Sequence, residues 1–576
     1  MFVTLLFLGL ALGGVRAPWA WTFAAVLLWA GAARTAPDIR RVPAWPLWGA
    51  FLAWTALSGF LCAEPFLAWP AVARTATMLL VLLCAVQLDE GGRKLWLALS
   101  CGAGAVLGLA ALALPVTRCD GSGLLYPHYN YTAAVLAAGF AAALGAWDSL
   151  RERGTRAALG TVMAFTLGVM LWEHSRGALL ASGAAALFWM WRHGRRRLLA
   201  AVAIAGLALT AVLAAYTDGG LRAALKLDHP AAAVRPLIWK AALEVAADHP
   251  LLGEGPGGFG RGFLRHNFPA PPGSWTTRYG LRSTHAHSEF LQTAAETGIP
   301  GLLLLLAALG AAWRAALRPR AGADAAGDAG RLAFIALFTQ AVVDNVFALP
   351  AIGWLHYAAL GVAVGAPPDA KESAGASSRA FCFAGLALAA TAWWPGWALG
   401  SYRGRAFAAP GLGGYQWMSR ALALSPRNAD LWEDLARLHM RQDPPAPRLA
   451  LAALAEAEQL SPTEAAYPLI GAEIAAAEGN WQAALALAQQ AIGLEPRCLQ
   501  ARLLRAHALH ALGDDGEASQ ELVRLDEFRA MPIPPNLPSD LPLLRFDAGR
   551  LKALKESLQS RCQGSTCWNY STKHFH

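Results

Sequence analysis

Apolar blocks of about membrane-spanning length recur from Met1 to Gly400, near 2–15, 18–33, 43–62, 68–88, 95–115, 129–148, 157–173, 177–191, 198–216, 299–317, 331–349, 351–366 and 380–399. A helix of roughly 20 such residues crosses a bilayer's hydrocarbon core. The pattern therefore predicts an all-α, polytopic membrane bundle of about 12–13 spans. One long polar stretch, 217–298, breaks the series and predicts a large loop at one membrane face. After Ser401 the chain turns alanine-rich and charged. Leu424-Ser425-Pro426, Leu460-Ser461-Pro462 and Leu494-Glu495-Pro496 recur there at the period of tetratricopeptide units, with turns at Gly479-Asn480-Trp481 and Gly513-Asp514-Asp515. The chain divides on this pattern into a membrane domain (1–400), a short helical solenoid (401–530) and a proline-rich, then basic tail (531–576) that reads as loosely ordered.

Composition agrees: 56% of the 576 residues are hydrophobic. The formal net charge of +9 invites a nucleic-acid partner, but its placement points elsewhere. Alternate connections hold the cations: Arg34, Arg40, Arg41; Arg93, Lys94; Arg151, Arg153, Arg156; Arg192, Arg195, Arg196, Arg197; Arg318, Arg320, Arg331; Lys371, Arg379. The intervening ones carry little beyond Arg16, Arg118 and Arg176. Positive charge gathers on cytoplasmic connections, so the pattern puts the N-terminus in the cytoplasm and the large loop and the repeats outside. The first block lacks the basic start and cleavage site of a signal peptide and reads as a helix. Cys62, Cys84 and Cys101 lie in or at apolar spans as small hydrophobes. Cys562 and Cys567, spaced C-x4-C, would be free to pair as a disulfide in an oxidising compartment.

Candidate chemistry collects at the outer face. Arg74 lies about two turns inside the outer edge of its span, where a charge faces protein or water or snorkels to the interface. Asn130 begins a span and can cap it or meet a substrate. Arg176 is pinned in the short turn Glu173-His174-Ser175-Arg176-Gly177. Its planar donor fork suits phosphate oxygens, while the simpler role is interface anchoring. Arg235 precedes Trp239 by one helical turn. Gly253-Glu254-Gly255-Pro256-Gly257-Gly258 formally fits a dinucleotide fingerprint, yet no strand precedes it and Pro256-Gly257 signals a turn, so it reads as a tight loop. His285 and His287, at i and i+2, diverge on a helix and make a poor metal pair; with no acidic metal motif nearby, one imidazole acting as general base is the sharper reading. Asp344, near the end of a span, is either packing glue or functional.

These pieces, in order, resemble the O-antigen ligase and polymerase superfamily: Ser175-Arg176-Gly177; Arg235 with Trp239; Pro250 with Gly253-x-Gly255 and Phe259; His287-x-x-Phe290-Leu291; and Glu296-x-Gly298-Ile299-Pro300-Gly301. The resemblance covers roughly residues 126–317. It implies a glycosyltransferase of the bacterial inner membrane that moves a glycan from undecaprenyl diphosphate to an acceptor hydroxyl on lipid A-core, a glycan or a protein, with no metal or other cofactor. By motif match Arg176 and Arg235 would hold the diphosphate and His287 would be the essential histidine, with His285, Asn130, Arg74 and Asp344 in support. The family often places Asn after that histidine; here it is Ser288. The same implication admits a ligase, a polymerase of O-antigen or exopolysaccharide, or a protein O-oligosaccharyltransferase. Outside that class stand a transporter of lipid-linked glycans, for which paired broken helices at the midplane are lacking, and a non-enzymatic scaffold whose repeats bind a protein partner.

Overall fold

The computed structural model describes all residues except 12, 114–128, 203, 205–207, 209–229, 272–276, 319–323, 366–375, 410, 533–544 and 563–576. The described residues are helices, turns and irregular segments, with no strand among them. They form two compact units: Met1–Leu227 with Ile238–Gly260 and Thr284–Ala398, and Asp228–Leu237 with Arg261–Ser283 and Leu399–His576.

The first unit holds α1 (Phe2–Ala11), α2 (Pro18–Thr35), α3 (Trp45–Leu61), α4 (Pro65–Val86), α5 (Glu90–Ala113), α6 (Tyr129–Ala146), α7 (Arg153–Trp172) and α8 (Arg176–Arg192). After α9 (Pro230–Asp248) and the short α10 (Phe259–Arg265) come α11 (Glu289–Ala316), α12 (Ala325–Val343), α13 (Pro350–Val364), α14 (Ala376–Thr391) and α15 (Trp394–Ala408). Helix α6 packs against α5, α7, α8 and α12, and α13 against α4 and α12. Its composition explains that central place. Ala133, Ala134, Ala137, Ala138, Ala141 and Ala142 are fully or almost fully buried, and small side chains let helices approach closely where lipid offers no hydrophobic drive between them.

Six described helical stretches are long and apolar enough to cross a membrane: Pro65–Val86, Glu90–Ala113, Arg153–Trp172, Glu289–Ala316, Ala325–Val343 and Ser378–Ala408. Other expected spans correspond to shorter helices, including α1, α3, α6 and α13. The one expected at 198–216 falls largely outside the described residues, and Cys567 lies outside them.

Helix α11 starts ten residues before the apolar run that predicted it. Ser288 caps it, its hydroxyl accepting from Leu291 N, and the helix is broken at Gly298 (φ 72°, ψ 178°) before the run continues. That extended, positive-φ region is open in practice only to glycine. The glycine turn docks onto this break. Glu254 N donates to Ala295 O (2.8 Å), Gly255 N to Glu296 O (3.0 Å) and Ile299 N to Pro250 O (2.8 Å). Helix α3 supports both sides: Ser58 Oγ donates to Leu252 O (2.5 Å), and the Trp54 indole to Thr297 O (2.9 Å). The turn is thus a backbone clasp on α11.

In the second unit, α16 (Leu412–Leu424), α17 (Ala429–Arg441), α18 (Pro447–Leu460), α19 (Ala466–Ala477), α20 (Trp481–Leu494), α21 (Leu499–Ala511) and α22 (Asp515–Ala530) follow one another, each packed on its neighbour. The turns lie where the repeat put them. Gly479 and Gly513 take positive φ (73° and 91°), and Asn480 and Asp514 cap the helices that follow. Three of these turns also grip the 261–283 segment: Arg282 pairs with Asp430 and Glu464 (both 2.8 Å), and Arg278 N donates to Glu495 (2.7 Å). Part of the tail departs from its expected looseness. Residues Ala548–Cys562 form α23, because Leu551, Leu554 and Leu558, spaced three and four apart, bury against Leu503 and Leu509.

Gly298 gives the sharpest stability test. A Cβ there would sit 2.1 Å from Leu251 O, whereas one at Gly310, also on α11, meets nothing within 4 Å. Gly298→Ala is expected to cost at least ~2 kcal/mol from strain alone, before the clash is counted. Gly310→Ala is expected to be neutral, both read by thermal melting of the detergent-solubilised chain.

Candidate functional site

The segment 284–288 turns sharply before α11. His287 takes a left-handed backbone conformation (φ 49°), uncommon for a residue with a side chain though tolerated by histidine. Three contacts hold it: the Trp239 indole of α9 donates to His287 O (3.1 Å), Ala286 N donates to Gln292 Oε1 (2.7 Å), and Ser288 caps the helix. Such strained conformations cost about 1–3 kcal/mol and gather where a side chain must point one way for function.

The imidazole meets a carboxylate 57 residues further on. His287 Nδ1 lies 3.3 Å from Asp344 Oδ1. Asp344 caps the end of α12 and is 6% exposed in its side chain, against 31% for His287. Its oxygens are well occupied: Asn130 Nδ2 donates to Oδ2 (3.0 Å) and Asn345 N to Oδ1 (2.9 Å). Asn130 in turn accepts from the Ser175 hydroxyl (3.5 Å), and its carbonyl from Gln340 Nε2 (3.3 Å). A carboxylate held this way favours the tautomer with the proton on Nδ1, leaving the Nε2 lone pair for chemistry. Asn130 is thus a bridge between α6, α8 and Asp344 as well as the start of its helix.

Arg176 is the residue after Ser175 and opens α8. Arg74, on α4, lies over the Trp21 ring (5.9 Å to its centroid) and within electrostatic range of His285 and Glu296. Arg235 stands one turn before Trp239 on α9. His285 is drawn in beside His287, Arg74 and Arg16. Burial first, then those three groups, push its pKa down to about 4, so it stays neutral at working pH. Among the described residues no cluster of three metal-ligating side chains occurs.

Sequence reasoning missed the partnership of His287 with Asp344, and it missed Arg16, read only as a connection charge. A carboxylate at a span's end, Asp344-Asn345, was the available signal.

Residues 159–306 match the O-antigen ligase family. Arg176, Arg235, His285 and His287 fall inside the O-antigen ligase match; Arg74, Asn130 and Asp344 lie outside it. With the membrane-capable helices, it makes the chain a multi-pass membrane protein, and it supports a glycosyltransferase of ligase or polymerase type. No curated protein matches the chain. Among solved structures, the crystal structure of yeast Tom70 is similar at 12% identity and a TM-score of 0.25, covering 80% of this chain and 93% of that one, too slight a likeness to bear on function.

The depressed His285 pKa carries a sign. The folded state binds its proton only near pH 4, the unfolded chain near 6.5, so this group's contribution to stability is complete above 6.5 and is lost as pH falls from there towards 4. His285→Gln is expected to flatten the acid side of the stability–pH curve over that window, measured by melting at a series of pH values.

Proposed function

We propose that the chain transfers a glycan from a polyprenyl diphosphate, undecaprenyl diphosphate by family resemblance, to an acceptor hydroxyl at the outer face of the inner membrane. The observation that carries this is the His287–Asp344 pair, buried on the carboxylate side and open on the imidazole side, in a chain whose residues 159–306 match the O-antigen ligase family.

His287 Nε2 takes the proton of the acceptor hydroxyl as its oxygen bonds to the sugar's anomeric carbon. The bond from that carbon to the diphosphate oxygen breaks, and the electron pair leaves with the diphosphate. Asp344 orients the imidazole and stabilises the imidazolium that forms, a service worth most where water is excluded. Asn130 and Ser175 hold Asp344 in place. The leaving group already carries charge, so it needs guanidinium neutralisation more than protonation; Arg176 and Arg235 are assigned that part, with Arg74 in support. Lipid-anchored donor and acceptor meeting in one plane supply positioning. The alternation of basic connections supports an outer-facing site and a cytoplasmic N-terminus. The acceptor belongs to lipid A-core, a growing glycan or a protein, and the repeats offer a surface for a protein partner.

The test is transfer in vitro by the purified chain from a polyprenyl-diphosphate-linked glycan. His287→Ala and Arg176→Ala are each expected to abolish product, a loss of at least ~10²-fold, with protein level in the membrane unchanged. Full activity in His287→Ala removes the base. Glycan analysis of a deletion strain then identifies the acceptor by which product disappears.

A further inference from the structure

A second polar constellation lies at the far end of α11, about 35 Å along that helix from Glu289. There the first unit has a partly open cavity of about 2130 Å³ between α5, α7, α11 and the α2–α3 connection. One part of its lining is cationic. Arg93 is neutralised by Asp324 (2.7 Å), and Lys94 pairs with Glu90 (2.5 Å). Arg41, Arg314 and Arg318 also line it, and among the described residues their side chains have no hydrogen-bond or ion-pair partner. The Nε of Arg41 is buried and unsatisfied. A buried guanidinium donor without an acceptor is costly, and with the exposed Arg314 and Arg318 beside it Arg41 gives this end of the cavity a positive face that attracts an anion. The rest of the lining is apolar: Leu97, Leu159, Val162 and Ala307 form its walls, on helices long and apolar enough to cross a membrane.

A phosphate at one end and hydrocarbon along the other is the chemistry of a phospholipid. We infer that this cavity binds one anionic phospholipid, its phosphate held by Arg41, Arg314 and Arg318 and an acyl chain lying along α5, α7 and α11. Basic pockets between membrane helices hold anionic head groups by the same attraction. The site is separate from His287 and takes no part in the transfer.

The experiment is native mass spectrometry of the delipidated full chain in detergent, titrated with phosphatidylglycerol, phosphatidylcholine or inorganic phosphate. Phosphatidylglycerol is expected to bind in preference to phosphatidylcholine, and inorganic phosphate is expected not to displace it. The triple variant Arg41→Gln, Arg314→Gln, Arg318→Gln is expected to bind phosphatidylglycerol on the order of a hundredfold more weakly, at about fivefold per guanidinium. Gly310→Leu changes no charge, and its new side chain starts in open space on the cavity wall. It is expected to reduce lipid binding and keeps the question answerable if the triple variant fails to fold. Equal binding of the two lipids, or undiminished binding in both variants, overturns the inference. Displacement by inorganic phosphate alone overturns the lipid part of it.

Discussion

The break at Gly298 is the constraint on which the site rests. Only a residue without a Cβ fits there, and the carbonyls it exposes are taken by the backbone of the glycine turn and by side chains of α3. This clasp fixes the head of α11 against the turn that follows α9. The five residues before α11 must then leave its N-terminus in a bend tight enough to force His287 into a left-handed conformation. Backbone polar groups near a membrane cannot be left to chance. Here they are spent on one another, and the imidazole is fixed in consequence.

Around that fixed imidazole the electrostatics are graded. Asp344 is buried but accepts hydrogen bonds from Asn130 and Asn345, which offset the cost of taking a polar group from water. His287 is partly open, and His285, two residues away, is pressed towards the neutral form by burial and by neighbouring cations. Two histidines almost adjacent in sequence therefore sit in different surroundings: one has a carboxylate partner and access, the other is buried and held neutral.

Much of this was legible in the sequence because it is periodic or local. Apolar blocks gave the membrane helices, and the recurrence at about 34 residues gave the repeats with their Gly-Asn and Gly-Asp turns. Pro256-Gly257 announced the tight turn. The misses share a cause. The pairing of His287 with Asp344 links positions 57 apart, and no period announces it. Helix α11 was begun too late because Glu289 to Thr297 looks polar on its own, yet its polar side chains are satisfied at the helix head, as Gln292 is by Ala286 N and Glu296 Oε1. Helix α23 was read as tail because the surrounding prolines and basic residues masked three leucines in register. The roles proposed for Arg176 and Arg235 came from family resemblance, since an arginine in an outer turn is otherwise an ordinary interface anchor.

The central claim is that His287 and Asp344 act as one unit in removing the acceptor proton. A double-mutant cycle measures this most directly, using single-turnover transfer by the purified chain with His287→Gln, Asp344→Asn and the pair together. Residues working as a unit are strongly non-additive, so the double variant is predicted to be hardly slower than His287→Gln alone. Losses that multiply, or an Asp344→Asn variant with full activity, would contradict the account.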